Sequence, residues 1–243
     1  MVIKLKIPTI PITEIEQSAF CQTDEELASK TLAEEFSAGV RWQKLPVEYM
    51  RMSPEELRQR ITSARAKLGD TAVILGHHYQ RDEIIEFADV RGDSFKLSQY
   101  AATQGQSQHI IFCGVHFMAE TANILSEPHQ KVILPNITAG CSMADMAQID
   151  DVMDCWDDLE RVLGDKGGVV PVTYMNSTAA IKALCGRNNG IVCTSSNAPA
   201  TFDWAFERGQ RVLFLPDQHL GRNTALKMGI GVDEMVVWNP FKE

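Results

Sequence analysis

The chain has 243 residues, a formal net charge of −9, a hydrophobic fraction of 44% and a charged fraction of 23%, which suits a soluble globular protein with one large or two small domains. The acidic excess and the lack of any Lys/Arg run exclude a broad nucleic-acid-binding surface. No stretch reaches the roughly 18–20 apolar residues of a bilayer crossing. Residues 1–8 also lack the apolar run of a secretory leader, so a cytoplasmic protein with no membrane partner is expected.

In chain order, residues 1–22 read as a Pro-punctuated extended arm, and Thr23-Asp24-Glu25-Glu26 opens a peripheral helix to about Gly39. Ser53-Pro54-Glu55-Glu56 starts a stronger helix, with Leu57, Ile61, Ala64 and Leu68 as its apolar stripe and Gly69 as its stop. Residues 71–76 form a short apolar strand of the buried parallel type, ending in His77-His78-Tyr79-Gln80. Helices are expected at about residues 82–89 and from Gly92-Asp93-Ser94. A second strand at 109–113 leads through Gly114-Val115-His116 to a helix as far as Leu125. A third strand, 131–134, delivers the loop Pro135-Asn136-Ile137-Thr138-Ala139-Gly140-Cys141-Ser142, and an acidic helix at 150–163 follows.

The plan then repeats. Strands at 168–173, 190–193 and 211–215 end in Tyr174-Met175-Asn176, Thr194-Ser195-Ser196-Asn197 and Pro216-Asp217-Gln218-His219-Leu220-Gly221-Arg222, with Ser177-Thr178 capping a helix. Residues 234–243 begin a further strand and stop. The expected class is α/β, built of consecutive three-layer α/β/α units with short parallel sheets. The expected divisions are an arm and peripheral helix at 1–52, a first unit at 53–150 and a second at 151–243.

Ligands of open parallel sheets bind beyond the carboxyl ends of the strands. Those ends carry His77, Tyr79, His116, Cys141, Tyr174, Asn176, Ser195 and His219, a set suited to an anionic, oxygen-rich small molecule. Cys141 stands ahead of a helix, where the dipole favours a thiolate, although a small residue filling a loop reads the same way. Ser94, Ser177 and Ser195 stand near helix starts, either as plain N-caps or as donors to phosphate or carboxylate. Cys113 and Cys193 fit buried packing positions, and Met118, Met143 and Met146 fit core filling. Asp217 and Arg222 fit an ion pair. Cys21, Cys155 and Cys185 have no supporting context. None of the six cysteines lies in a Cys-x-x-Cys pair, so a metal site must collect ligands from distant loops.

Gly76-His77-His78-Tyr79, Gly92-Asp93-Ser94, Gly114-Val115-His116-Phe117-Met118-Ala119-Glu120-Thr121-Ala122, Ala139-Gly140-Cys141-Ser142, Tyr174-Met175-Asn176-Ser177-Thr178-Ala179-Ala180, Thr194-Ser195-Ser196 and Pro216-Asp217-Gln218-His219-Leu220-Gly221-Arg222 occur in this order. In this the chain resembles the quinolinate synthase family from about Ser53 to Trp238. The resemblance implies three similar α/β units about a pseudo-threefold axis, two of them present here. It implies condensation of iminoaspartate with dihydroxyacetone phosphate, with loss of phosphate and water, to give quinolinate for NAD biosynthesis. L-aspartate oxidase is the implied source of iminoaspartate.

The implied cofactor is a [4Fe–4S] cluster on three cysteines, one per unit, with an open iron acting as a Lewis acid. By motif, Cys141 is the first of these ligands. His77 and Tyr79 carry proton transfer and contact the phosphotriose. Tyr174 and Asn176 position the substrate, and Ser94 and Ser195 donate to its carboxylate or phosphate oxygens. The other two cluster cysteines are expected beyond Glu243, so the resemblance implies that residues 1–243 alone are inactive. Two alternatives stay open: a non-catalytic two-unit protein that binds phosphorylated metabolites, and a zinc enzyme built from His77, His116, His219 and Cys141.

Overall fold

The computed structural model describes residues 46–164 and 168–240. The expected N-terminal arm, the helix from Thr23 and Cys21 lie outside the described residues. The chain divides into two compact units, Met1–Met50 and Arg51–Glu243. Of the first, the described part is helix α1, Val47–Met50.

The second unit opens with α2, Pro54–Leu68, and its capping box forms as the sequence predicts. The Ser53 side chain accepts from the Glu56 amide at 3.3 Å, and the Ser53 amide donates to Glu56 Oε2 at 2.7 Å. Gly69, at φ +50°, ends the helix in a backbone conformation that a side chain disfavours. The expected apolar stripe is not buried: Ile61 and Leu68 stay exposed. Ion pairs fasten this helix instead, Arg58 to Glu86 at 2.9 Å and Arg65 to Asp89 at 2.5 Å, while Asp89 Oδ2 accepts from the Ile74 amide at 2.7 Å.

Two short parallel sheets follow, so the α/β class read from the sequence is the class observed. The first sheet contains β1 (Ala72–His77), β2 (Val90–Gly92), β3 (His109–Cys113) and β4 (Lys131–Ile133) in the order β2-β1-β3-β4. Its helices are α3 (Asp82–Ile85), α4 (Ser94–Thr103), α5 (His116–Leu125) and α6 (Ile149–Leu163). The second sheet contains β5 (Val169–Tyr174), β6 (Ile191–Cys193) and β7 (Arg211–Leu215) in the order β6-β5-β7. Helices α7 (Ala179–Arg187), α8 (Ala198–Phe206) and α9 (Gln218–Lys227) alternate with these strands.

Three elements differ from expectation. The helix expected at 82–89 is one turn, because the chain must extend again as β2, whose Val90 and Gly92 pair with Leu75 and His77. The segment after Glu234 forms no strand among the described residues; a 3₁₀ turn at Val232–Glu234 leads into irregular chain held by Trp238 Nε1 donating to Asp158 at 3.0 Å. Met146 is 49% exposed rather than a core filler.

Every residue of β1 is buried, as expected for a central parallel strand covered on both faces. Val73, Leu75, Leu97, Ile110 and Phe112 form the first core, each large side chain contributing about 1.5–3 kcal/mol by leaving water. Met175, from the loop after β5 in the second sheet, is buried in this same core, with Tyr174 and Cys141 packed against it. The two sheets thus share a hydrophobic anchor at their carboxyl ends. In both, the strand order changes direction beside the first strand, between β1 and β3 and between β5 and β7, where an open α/β sheet forms a crevice.

Candidate functional site

His77 is the last residue of β1. Gly76 before it permits α3 to close over the strand: a Cβ there would stand 2.8 Å from Ile85 Cδ1 and 2.9 Å from Ala88 Cβ. The His77 ring is 4% exposed and packs against the Tyr79 ring at 3.9 Å between centroids. Its Nδ1 receives the Tyr79 amide at 3.5 Å, which leaves the proton on Nε2, facing Ser94 Oγ at 3.3 Å. Burial, assisted by His78, lowers the imidazole to about 4, so it is neutral at physiological pH. Tyr79 is half exposed, and burial of its hydroxyl end, with Cys141 next in effect, pushes the phenol up to about 12. The pair is therefore a neutral imidazole beside a firmly protonated phenol.

Ser94 is not the cap of α4. Asp93 takes that role, accepting from the Lys96 amide at 2.9 Å, which frees the Ser94 hydroxyl for His77. Ser177 and Ser195 are likewise not caps. Thr178 caps α7, Ser177 is buried and donates to the Tyr174 carbonyl at 2.8 Å, and Asn197 stands at the start of α8. Ser195 is exposed; its hydroxyl acts to lower the Tyr174 phenol, but burial outweighs it and the phenol is raised. Asp217 does not pair with Arg222. It caps α9 through the His219 and Leu220 amides at 2.6 and 3.2 Å, while Arg222 donates to Gln218 at 2.9 Å. His219 lies exposed on that first turn.

Cys141 follows β4 in the irregular loop, half-buried. The segment after it is a three-residue 3₁₀ turn, Ala144–Met146, and α6 begins only at Ile149, so the sulfur does not stand directly ahead of the following helix as the sequence suggested. Its polar neighbour is Asn176, whose Nδ2 donates to Cys141 Sγ at 3.8 Å. Two carboxyl-end loops, one from each sheet, therefore meet at this thiol. His77 thus touches Tyr79 and Ser94, Asn176 touches Cys141, and Tyr174 and Cys141 pack against the same core, with Ser195 acting on the Tyr174 phenol.

The other described cysteines sit in drier surroundings. Burial raises Cys113, pushes Cys155 up to about 11, and pushes Cys185 and Cys193 up to about 12. Among the described residues no three His, Cys, Asp or Glu side chains converge to hold a metal ion. His77, His116, His219 and Cys141 thus do not form the set that a zinc enzyme requires. A cluster resting on three thiolates likewise finds one here, so the described residues do not fit a complete cluster site.

Sequence reasoning missed Glu120 and Lys182, which lie behind the Cys141–Asn176 contact. Glu120 Oε2 accepts from the Ala179 amide at 2.9 Å, and Lys182 Nζ donates to the Met175 carbonyl at 2.9 Å. Glu120 falls inside the 114–122 motif and Lys182 just after the 174–180 motif; no spacing rule marks either.

A family model described as NadA, quinolinate synthetase A protein, matches residues 59–241. A quinolinate synthase of Corynebacterium glutamicum is 61% identical over 202 residues, covering 83% of this chain and 51% of that protein. One of Acidobacterium capsulatum is 57% identical over 197 residues (80% and 52%), and one of Bacillus anthracis 53% over 199 residues (82% and 54%). The chain spans about half the length of these relatives. With the match covering both sheets and every residue of the site, the chain belongs to the quinolinate synthetase A family.

Proposed function

We propose that this sequence is the part of a quinolinate synthase that binds and positions the condensing substrates, iminoaspartate and dihydroxyacetone phosphate, on the way to quinolinate for NAD biosynthesis. The observations that carry the reading are the meeting of strand-end loops from both sheets at the Cys141–Asn176 contact and the His77–Tyr79–Ser94 group at the end of β1. His77, neutral and with Nε2–H turned to Ser94, presents Nδ1 as the weakly held acceptor for a substrate proton. Tyr79 stays protonated and donates to a developing oxyanion or leaving oxygen. Ser94 and Ser195 offer hydroxyl donors to phosphate or carboxylate oxygens, and Tyr174 and Asn176 orient the substrate between them.

Cys141 is one ligand of a [4Fe–4S] cluster whose remaining cysteines are not among the described residues. In this reading residues 53–150 and 151–243 are the two units that contribute strand ends to the site. L-aspartate oxidase supplies the iminoaspartate, and the setting is the cytoplasm. The 243-residue chain alone does not turn over.

The test is iron and acid-labile sulfide per chain after anaerobic reconstitution of residues 1–243, alongside calorimetric titration with dihydroxyacetone phosphate. Iron near zero with measurable triose binding that His77→Ala abolishes supports the reading. Four irons retained in Cys141→Ala would remove Cys141 from the metal site. Triose binding that survives loss of both His77 and Ser94 would remove the substrate assignment.

A further inference from the structure

Behind the Cys141–Asn176 contact runs a closed path of polar interactions between the two sheets. The His116 amide donates to the Ala139 carbonyl at 2.9 Å, tying the start of α5 to the loop two residues before Cys141. One turn along α5, Glu120 holds His116 Nδ1 at 3.7 Å with one oxygen and accepts the Ala179 amide, at the start of α7, with the other. On the next turn of α7, Lys182 reaches back to donate to the carbonyls of both Met175 and Ser177, the two neighbours of Asn176. Its ammonium stands 5.5 Å from the Phe117 ring centroid. Asn176 closes the path at Cys141 Sγ.

The groups at the lysine explain why it is a brace and not an ordinary ion pair. Its direct acceptors are two neutral carbonyls that point inward from one turn, and an aromatic face rather than water lies beside it. Without the ammonium the Ser177 carbonyl loses this donor, the Met175 carbonyl keeps only the Ser177 amide at 2.9 Å, and the turn that carries Asn176 is held less firmly against the sulfur. Burial lowers the lysine to about 8, with Glu120 opposing, which fits a charge kept partly out of water for a positional purpose.

We propose that Glu120 and Lys182 are positioning residues that fix the 175–178 turn against α5 and thereby hold Asn176 on Cys141. This rests on the reading of Cys141 and Asn176 as site residues. Neither Glu120 nor Lys182 touches substrate; each acts through the backbone that carries Asn176.

The test is the rate at which iodoacetamide alkylates Cys141 in residues 1–243 at pH 7, where the Lys182 ammonium is still charged, followed by mass spectrometry. Cys113, in the same molecule, serves as the internal reference. Lys182→Met keeps the apolar stem over Phe117 and removes the donors; it should raise the Cys141 rate about two- to tenfold, the range in which contacting residues couple. Asn176→Ala should raise it by a similar factor, and the double variant no further. Glu120→Met, which keeps volume and removes the acceptor for the Ala179 amide, should move the rate in the same direction and covers the case in which Lys182→Met does not fold.

Unchanged Cys141 rates in both single variants, multiplicative effects of Lys182→Met and Asn176→Ala, or a parallel rise at Cys113 would each overturn the assignment. The readout uses neither iron nor substrate. A failure here therefore leaves the substrate and cluster reading standing, and a failure of that reading leaves this coupling measurable.

Discussion

Burial holds the His77 imidazole at about 4, whereas the same ring in an unfolded chain protonates near 6.5. Between those values the unfolded state binds a proton that the folded state refuses. The stability contributed here is therefore fully present above about 6.5 and declines as the pH falls toward 4. Melting temperatures taken from pH 7 down to pH 4 should fall less steeply for His77→Gln than for the unaltered chain; equal slopes would mean that another group governs the acid limb. Ser94 is tied to this ring, since its hydroxyl receives His77 Nε2–H and keeps its own proton for a ligand. On the proposed function, Ser94→Ala should weaken dihydroxyacetone phosphate binding about tenfold by calorimetry, the worth of one hydrogen bond to a charged oxygen; no change would remove Ser94 from the proposed site. The residues proposed for the site were picked out by motif and position. Their partners were not: the choice between Ser94 and Asp93 as cap depends on which side chain turns toward β1, which neighbouring letters do not encode.

At the scale of elements, the short helix α3 fixes the direction of His77 through its contact with Gly76. Gly76→Ala should cost about 1–3 kcal/mol through overpacking. Ile85→Val in the same chain should recover part of the loss, because it removes the nearer of the two obstructing atoms. Thermal unfolding of the single and double variants checks both signs. Strands β1 and β5 could be read from the sequence because burial on both faces selects unbroken hydrophobicity, and β3 and β7 could be read from their apolar runs although much of each is only half-buried. Strand β2 could not: Val90-Arg91-Gly92 has one apolar side chain, and its strand state comes from pairing with Leu75, Gly76 and His77. Met175 was hidden for a related reason. It stands in a loop of the second sheet yet is 2% exposed in the core of the first, a contact that no local pattern announces. Met175→Ala should cost about 2–5 kcal/mol and should loosen Asn176 beside it, visible as faster amide exchange at Ser177.

For the molecule as a whole, several large apolar side chains face solvent in the described residues, with Val236 95%, Val162 76% and Met153 51% exposed. The bond from Trp238 to Asp158 brings the 236–238 segment to α6, which carries the other two. Apolar side chains left in solvent favour association. Residues 1–243 should self-associate with rising concentration in sedimentation, and Val236→Lys should reduce the larger species; a concentration-independent monomer would count against this.

The contact between Asn176 and Cys141 also has a consequence in time. The two residues are 35 positions apart, with Cys141 the earlier. At about 5–20 residues per second, a ribosome makes the thiol some two to seven seconds before its amide partner exists. During every round of synthesis the first sheet can therefore present a sulfur that the second has not yet covered, and oxidants or stray metal ions in the cell meet it in that interval.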